Sequence, residues 1–182
     1  MTNMSPVYTS ILAASVGLAF PQMALAQAPN IQTKGAIIHL ADNLSEEAML
    51  GWCIDTQGRG LGELLHAHSC KPNGDDVLFS FAQSSGLIES VTYEGRCMAY
   101  NAPDNAATPF GLVTCDETDP AQKFTYDDAS MELHLASQPA RCVTVAENID
   151  DAGPYQSRYL LLAQCADLAS GFKQWVVKNA DQ

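Results

Sequence analysis

The sequence predicts an all-β domain that consists of three copies of one structural unit. Six cysteines form three pairs by their spacing, with 17, 18 and 23 positions inside the pairs and 27 positions from one pair to the next. The pairs are Cys53 with Cys70, Cys97 with Cys115, and Cys142 with Cys165. Short apolar runs alternate with turn residues, and helical periodicity is almost absent, which favours short strands. The unit therefore recurs about every 45 residues.

Each unit contains four segments with the pattern of a strand, which makes about a dozen strands in all. The first strand is an apolar run before the first cysteine, at residues 37–40, 87–91 and 131–135. The second strand carries that cysteine, at residues 51–55, 95–99 and 140–144. The third strand leads to the second cysteine, at residues 64–65, 110–113 and 159–162. The fourth strand holds an aromatic residue nine or ten positions later, which is Phe79, Phe124 or Trp175.

Residues 45–50 are the exception to this pattern. Their sequence, S-E-E-A-M-L, is the helix candidate of the chain, and it is an insertion of about five residues relative to the other units. The same residues are equally compatible with a loop that decorates the first unit. Both alternatives leave the all-β prediction unchanged.

The first 26 residues have the pattern of a secretory signal peptide. They contain no charged side chain, are apolar from residue 11 to residue 20, and end in Ala24-Leu25-Ala26, the small-x-small form that signal peptidase cleaves. An uncleaved membrane anchor is the alternative, but the apolar run is only half of the roughly 20 residues that a spanning helix needs. We therefore expect cleavage after Ala26, a secreted or periplasmic protein, and no membrane insertion after cleavage. In such an oxidising compartment an even number of cysteines indicates disulfides.

The remaining 182 − 26 = 156 residues suit one domain. We predict an N-terminal extension at 27–34, a domain at 35–178 with repeats at about 35–81, 82–126 and 127–177, and a C-terminal tail at 179–182. The formal net charge of −12 repels nucleic acid and anionic lipid, and basic clusters are absent. We therefore expect no nucleic-acid partner, and solubility accounts for most of the charge.

The chain resembles the ricin B-type lectins, whose domain is a β-trefoil. The resemblance is carried by Cys-Ile-Asp at 53–55, by the paired cysteines, and by the Gln-x-aromatic signature at Gln122-Lys123-Phe124. Residues 173–175 are a displaced version of this signature with Lys173 at the Gln position, and in the first repeat Val77 occupies that position. The resemblance covers residues 35–178 and implies a β-trefoil fold.

The resemblance also implies roles for the aromatic residues and the cysteines. The aromatic of each repeat packs in the core, and the Gln amide binds backbone groups that would otherwise be unsatisfied. A sugar-stacking platform is the alternative for Phe79, Phe124 and Trp175. The implied disulfides are Cys53–Cys70, Cys97–Cys115 and Cys142–Cys165, among fifteen possible pairings. Metal ligation is the alternative for the cysteines, and no C-x-x-C spacing supports it.

The sugar site that the resemblance implies has a partial match in the first repeat alone. There Asp55 is at the carboxylate position, His66 at the amide position, His68 at the aromatic position, and Asp75 or Asp76 near the fourth. The second repeat has Ala99, Gly111 and Val113 at the first three positions, and the third has Thr144, Leu161 and Ala163. We therefore expect these two repeats not to bind sugar.

Three alternatives remain open for the first-repeat residues. Asp55 is also compatible with a turn former, and a histidine on an exposed strand is commonly solvated. His66 and His68 alternate on a strand and so point to one side, which also fits a bidentate metal site with Glu63 or Asp55 nearby.

The sequence favours an exported carbohydrate-binding protein with at most one intact sugar pocket. The alternative is a degenerate trefoil that serves as a protein-interaction or toxin-delivery subunit without binding sugar. We expect no enzyme activity, because no Ser-His-Asp arrangement and no glycine-rich phosphate loop is recognisable. No cofactor and no metal are expected, and the partner is either a glycan or a protein.

Overall fold

The computed structural model describes Met1 and residues 26–58, 60–101 and 108–180. Most of the predicted signal peptide lies outside the described residues. The described residues form thirteen strands: β1 Ile37–Leu40, β2 Trp52–Thr56, β3 Leu65–Ser69, β4 Phe79–Ala82, β5 Leu87–Ser90, β6 Arg96–Tyr100, β7 Phe110–Thr114, β8 Phe124–Asp127, β9 Glu132–Leu135, β10 Gln138–Val145, β11 Asp150–Ala152, β12 Tyr155–Gln164 and β13 Trp175–Lys178. The prediction of an all-β fold is confirmed.

Twelve of the strands form three sets of four, and the thirteenth, β11, pairs with β12 alone. In each set the second and third strands form a hairpin: β2 with β3, β6 with β7, and β10 with β12. The fourth strand of each set pairs with the first strand of the next, and β13 pairs with β1 to join the two ends of the domain. This threefold arrangement is that of a β-trefoil, which confirms the predicted fold.

The hairpin register identifies the equivalent positions of the three repeats. The first cysteine of each repeat pairs with His68, Val113 or Ala163 on the opposite strand. Two residues further along, Asp55 pairs with His66, Ala99 with Gly111, and Thr144 with Leu161. The positions that the sequence comparison made equivalent are therefore equivalent in the backbone as well.

Each repeat contains one disulfide. Cys53–Cys70, Cys97–Cys115 and Cys142–Cys165 have Cα separations of 5.0, 4.9 and 5.1 Å. Each disulfide joins the second strand of its repeat to the residue that directly follows the third strand. Because a disulfide restricts the unfolded chain, each one is worth roughly 3 kcal/mol in the chain-entropy model.

The aromatic residue of the fourth strand lies in the core in all three repeats. Phe79 and Trp175 are fully buried, and Phe124 is 2% exposed. The three side chains belong to one hydrophobic cluster that also contains Trp52 and Phe110. Trp175 Nε1 donates a hydrogen bond to Val143 O at 2.9 Å, which satisfies its polar atom inside this cluster.

The position two residues before that aromatic is filled differently in each repeat. Gln122 is buried, donates from Nε2 to Thr114 O at 3.1 Å, and accepts from Asp116 N at 3.0 Å. Lys173 instead donates from Nζ to Cys165 O at 2.8 Å. Val77 makes no polar contact and packs in a buried cluster with Cys53 and Cys70. A backbone carbonyl is thus bound by the signature position in two repeats, and an apolar contact replaces it in the first.

Residues 45–50 form a loop, so the helix alternative is wrong. Leu44, Ser45 and Met49 have φ values of 39°, 63° and 60°, which a right-handed helix does not allow. The loop carries a buried carboxylate, because Glu46 accepts hydrogen bonds from Ser69 Oγ at 2.8 Å and from Leu50 N at 2.6 Å.

The N-terminal extension packs against the first repeat. Asn43 N donates to Gln27 O at 2.7 Å, and Asn30 N donates to Met49 O at 2.6 Å. Thr33 Oγ1 donates to Lys71 O at 3.0 Å, so the extension reaches the residue that follows Cys70. No helix in the described part of the chain has the length and the apolar character that a membrane span requires.

Candidate functional site

A pocket of about 350 Å³ lies beside the β2–β3 hairpin of the first repeat. The structure brings the four predicted sugar-site residues together around it: Asp55, His66, His68 and Asp76. The other lining residues were not predicted: Thr56, Gly58 and Lys71 of the first repeat, and the turn at residues 152–155 of the third repeat. The pocket is therefore lined by residues of two repeats, the first and the third.

Asp55 is fully buried at the bottom of the pocket, on β2. Its Oδ2 atom is 2.8 Å from Lys71 Nζ and 3.6 Å from His68 Nδ1. Neither carboxylate oxygen has a well-directed hydrogen bond from a described residue, and Oδ1 has no ion pair either. Burial raises the pKa of Asp55 to about 6, against the opposing effect of the Lys71 ammonium. The carboxylate is thus ionised near neutral pH and has an unused acceptor.

Lys71 links the two carboxylates of the pocket. Its Nζ is 2.8 Å from Asp55 Oδ2 and 2.6 Å from Asp76 Oδ1. Burial alone would lower the pKa of the Lys71 ammonium, but hydrogen bonds and charge from Asp55 and Asp76 raise it. The signal that sequence reasoning missed is positional, because Lys71 directly follows Cys70 in a chain with few basic residues.

His66 and His68 lie on the same face of β3, with ring centroids 5.3 Å apart. Both rings are buried, so the alternative in which the two histidines are exposed to solvent is wrong. Burial lowers the pKa of His66 to about 4 and also lowers that of His68. Both imidazoles are therefore neutral at pH 7. His68 Nδ1 contacts Ser69 O at 3.0 Å, while His66 Nε2 is buried without a hydrogen-bond partner among the described residues.

The fourth predicted position is filled by Asp76 and not by its neighbour Asp75. Asp76 pairs with Lys71 and lines the pocket. Asp75 contributes its backbone carbonyl, which accepts from Thr92 Oγ1 and from Leu78 N. With both histidines neutral, the charged residues among the described lining residues, Asp55, Asp76 and Lys71, sum to one formal negative charge at pH 7.

The opposite wall comes from the turn between β11 and β12. Residues 152–155 line the pocket, and the Tyr155 ring is 5.6 Å from the His68 ring with an interplanar angle of 64°. The sequence carries a weak signal for this wall, because the third cysteine pair spans 23 positions where the others span 17 and 18. The additional residues contain β11.

The equivalent positions of the other repeats lack this constellation. A second cavity, of about 710 Å³, lies at the β6–β7 hairpin, and it has Ala99 and Val113 where the first repeat has Asp55 and His68. In the third repeat Thr144 is buried, and its hydroxyl donates to Phe172 O at 2.8 Å. Neither the second nor the third repeat therefore has a carboxylate at the position that corresponds to Asp55.

One group of four candidate metal ligands has its ligating atoms within 4.8 Å of one another in the described part of the chain: Glu132, His134, Cys142 and Cys165. Its two sulfur atoms are bonded to each other, and a disulfide sulfur is not the thiolate that binds a metal. No comparably close group of three includes His66 and His68 among the described residues.

The chain is thus a β-trefoil with one disulfide in each repeat and a polar pocket beside the hairpin of the first repeat. The family model "Ricin-type beta-trefoil lectin domain" matches residues 42–175. The chain therefore belongs to this family. No curated protein matches it.

Three solved structures illustrate the fold similarity. A non-toxic homologue of type II RIPs from Momordica charantia (bitter gourd), in complex with α-methyl-D-galactoside, has a TM-score of 0.56 and 15% identity, over 78% of this chain and 46% of that chain. GalNAc-T7 with UDP, GalNAc and Mn²⁺ has a TM-score of 0.55 and 14% identity, over 84% of this chain and 23% of that chain. The earthworm R-type lectin C-half in complex with GalNAc has a TM-score of 0.54 and 13% identity, over 80% of this chain and 98% of that chain. This chain thus spans less than half of the first two proteins and nearly all of the third.

Proposed function

We propose that this protein is an exported carbohydrate-binding protein that binds one sugar in the pocket of the first repeat. The observation that carries the proposal is a pair of buried polar atoms, Asp55 Oδ1 and His66 Nε2, which have no hydrogen-bond partner among the described residues and belong to residues that line the pocket. A buried polar atom without a partner costs about 1–3 kcal/mol, so such atoms mark places where a ligand supplies the missing hydrogen bonds. Two family relatives of similar fold have a galactoside or GalNAc in their structures.

The chemistry of the pocket suits the hydroxyl groups of a sugar. Asp55 accepts hydrogen bonds from a pair of adjacent hydroxyls, and such bonds to a charged acceptor are the stronger kind. Asp76 provides a second acceptor and Lys71 a donor, since its ammonium has three donors. Neutral His66 offers Nε2 to a further hydroxyl. The net negative charge disfavours sugars that carry a carboxylate, so we propose a neutral sugar as the ligand.

We propose binding and not catalysis as the role of this pocket. Asp55 and Asp76 both contact the ammonium of Lys71, at 2.8 and 2.6 Å. The ammonium opposes the rise in the pKa of Asp55 to about 6 that burial causes, so this carboxylate is mostly ionised at pH 7 and accepts hydrogen bonds. A glycosidase needs one carboxyl group free to protonate the leaving oxygen and a second free to act as base or nucleophile, whereas here one ammonium occupies an oxygen of each carboxylate.

The alternative of a protein-interaction or toxin-delivery subunit has no observation in its favour. Apart from Met1, the large apolar side chains that are exposed in the described chain are Leu61, Val91, Ile149 and Tyr159, at 37–52%. Single exposed apolar residues are normal on a protein surface. The carbohydrate-binding proposal therefore stands alone.

The test is a glycan array with the chain from residue 27, followed by calorimetric titration of the sugar that binds. We expect Asp55→Asn to abolish measurable binding, because loss of a charged hydrogen bond costs about 1.5–3 kcal/mol, which is up to a hundredfold in affinity. Asp75→Asn is the matched control, since this neighbouring carboxylate does not line the pocket. Binding should also weaken as the pH falls through 6, where Asp55 takes up a proton. Sugar binding that Asp55→Asn leaves unchanged would contradict the proposed pocket.

We also propose that the protein is exported and that its signal peptide is cleaved after Ala26. The three disulfides support this, because disulfides persist in oxidising compartments. N-terminal sequencing of the protein from the periplasm or the medium should begin at Gln27. Recovery of an uncleaved chain in the membrane fraction would show that the segment is an anchor.

A further inference from the structure

The pocket has a polar side and an apolar side, and the two sides come from different repeats. The polar side belongs to the first repeat, with Asp55, His66, His68, Lys71 and Asp76. The facing residues are Ala152, Gly153, Pro154 and Tyr155, which belong to the third repeat and carry no charge. A pyranose has the same division, because its hydroxyl edge is polar and the C–H groups on one ring face are apolar. Ligand sites generally combine an apolar surface with a few placed polar groups.

The first repeat does not provide an aromatic face of its own. His68, at the position of the stacking residue, is only 6% exposed, and its ring has the Tyr155 ring 5.6 Å away at 64°. Little of the imidazole is thus left for a ligand. Tyr155 itself is half-buried and lines the pocket. The aromatic surface of the pocket therefore belongs to the third repeat.

The β11–β12 turn that carries Tyr155 is held firmly against the first repeat. Gly153 has a φ of 68°, which a two-residue hairpin turn requires, and Pro154 restricts the other turn position. Gln156 N donates to Ser69 Oγ at 3.1 Å, and Gln156 Oε1 accepts from Glu47 N at 3.0 Å. A wall that is fixed before the ligand arrives loses little conformational entropy on binding.

The strand that follows the turn is anchored as well. Ser157 pairs with His68 across β12 and β3. Arg158 is buried, with its guanidinium 4.7 Å from the Trp52 ring centre and Nη2 donating to Leu44 O at 2.7 Å. Tyr155 therefore sits at the end of a strand whose next three residues all contact the first repeat.

We infer that Tyr155 of the third repeat forms the apolar subsite of the first-repeat pocket and stacks on the C–H face of a neutral pyranose. This inference rests on the proposed function, and it adds a residue and a selection rule to it. A sugar whose ring face is covered by an axial hydroxyl on the Tyr155 side, or by a bulky substituent there, is rejected. The ligand then bridges two repeats, with its hydroxyls on the first and its ring face on the third.

The experiment compares Tyr155→Ala, Tyr155→Phe and Tyr155→Leu with the wild-type chain, with methyl β-galactoside and N-acetylgalactosamine as first probes and other simple neutral sugars after them. We expect Tyr155→Ala to weaken binding roughly five- to tenfold, as for loss of one aromatic contact. Tyr155→Phe should bind within about twofold of the wild type, because the ring remains. Tyr155→Leu keeps an apolar side chain against His68 but removes the aromatic ring. Its sugar affinity therefore measures the contribution of the ring even if Tyr155→Ala fails to fold. Tyr159→Ala is the control, since Tyr159 is on the same strand, is exposed, and does not line the pocket.

Saturation-transfer NMR provides a second readout that a structural role would not produce. Saturation of the aromatic protons should reach the sugar C–H protons in the wild type and in Tyr155→Phe, and it should be lost in Tyr155→Leu. If Asp55→Asn abolishes binding while Tyr155→Ala and Tyr155→Leu bind as the wild type does, the Tyr155 subsite is overturned and the pocket stands. If Asp55→Asn has no effect on sugar binding, or no sugar binds to the wild type, the pocket and the subsite are both overturned.

Discussion

The first and second repeats have the same hairpin register but keep different parts of the family pattern. The second repeat has the complete core signature, with buried Gln122 and Phe124, and lacks the carboxylate that Asp55 provides in the first. The first repeat has the pocket and lacks the signature amide, because Val77 replaces it. Stabilisation of the core and the pocket chemistry therefore depend on separate positions. One of the two can be lost from a repeat while its backbone stays the same.

The largest expected effect comes from a substitution in the hydrophobic core that all three repeats share. Trp175→Ala removes a fully buried ring and leaves Val143 O without its hydrogen bond. We expect a loss of about 3–5 kcal/mol in the free energy of unfolding, measured by urea denaturation. Because β13 pairs with β1, the first-repeat pocket should lose its stability as well. A near-neutral result would place Trp175 on the surface and revive the sugar-platform interpretation of the aromatic residues.

Removal of single disulfides sharpens the comparison between the repeats. Replacing Cys53 and Cys70 with serine, or Cys97 and Cys115 with serine, should each cost about 2–5 kcal/mol in unfolding free energy. Only the first pair should also weaken sugar binding, because Lys71 directly follows Cys70 and pairs with both pocket carboxylates. Equal binding by the two double variants at a temperature where both are folded would show that the disulfide does not position Lys71.

Asp55→Asn should stabilise the protein at neutral pH even though it removes the proposed sugar contact. Burial raises the pKa of Asp55 from 3.8 to about 6, so the folded state holds this proton more tightly than the unfolded state. Its favourable contribution is complete below pH 3.8 and is lost as the pH rises through 6. We expect Asp55→Asn to be on the order of 2–3 kcal/mol more stable at pH 7.5, with a difference that shrinks towards pH 4.

Thermal unfolding of both proteins from pH 4 to pH 8 measures this difference. Asp75→Asn serves as the control for loss of one negative charge from a residue of the first repeat that does not line the pocket. A wild type that is more stable than Asp55→Asn at pH 7.5 would mean that the Lys71 ion pair outweighs the burial of the carboxylate. Stabilisation together with loss of binding is the trade-off expected at a functional site.

The smallest expected effect tests whether stabilisation of the core and sugar binding in the pocket depend on different residues. Gln122→Leu leaves Thr114 O and Asp116 N without partners, which should cost about 1–3 kcal/mol of unfolding free energy. Sugar binding in the first repeat should not change. Lys173→Leu is the corresponding variant in the third repeat, where Cys165 O loses the Lys173 donor but keeps the hydrogen bond from Leu168 N, and where the ion pair of Lys173 with Glu132 at 2.7 Å is also lost. If Gln122→Leu alters sugar binding at a temperature where the protein is folded, the core signature positions and the pocket positions are energetically coupled.

The sequence by itself determined the number of repeats, their strands and the positions that correspond between them. Cysteine spacing, period-two apolar runs and the aromatic that ends each repeat are local patterns, and each requires only neighbouring residues to be interpreted. The same patterns made Asp55, His66 and His68 stand out, because they occupy the equivalent positions at which the other repeats have small or apolar residues. The sequence left residues 45–50 undecided between helix and loop, since the left-handed conformation of Ser45 and Met49 cannot be recognised in so short a segment.

Only the tertiary structure decided how the pocket is completed. Lys71 reaches Asp55 and Asp76 because the disulfide hairpin and the N-terminal extension place its backbone beside them. Tyr155 faces His68 although 87 positions separate them in the sequence, because β12 pairs with β3 across the boundary of two repeats. The pKa values depend on the same packing, since burial raises that of Asp55 and lowers that of His66. Contacts between distant segments and the loss of water around buried groups arise only when the whole chain is folded, and the sequence pattern of one repeat contains no information on either.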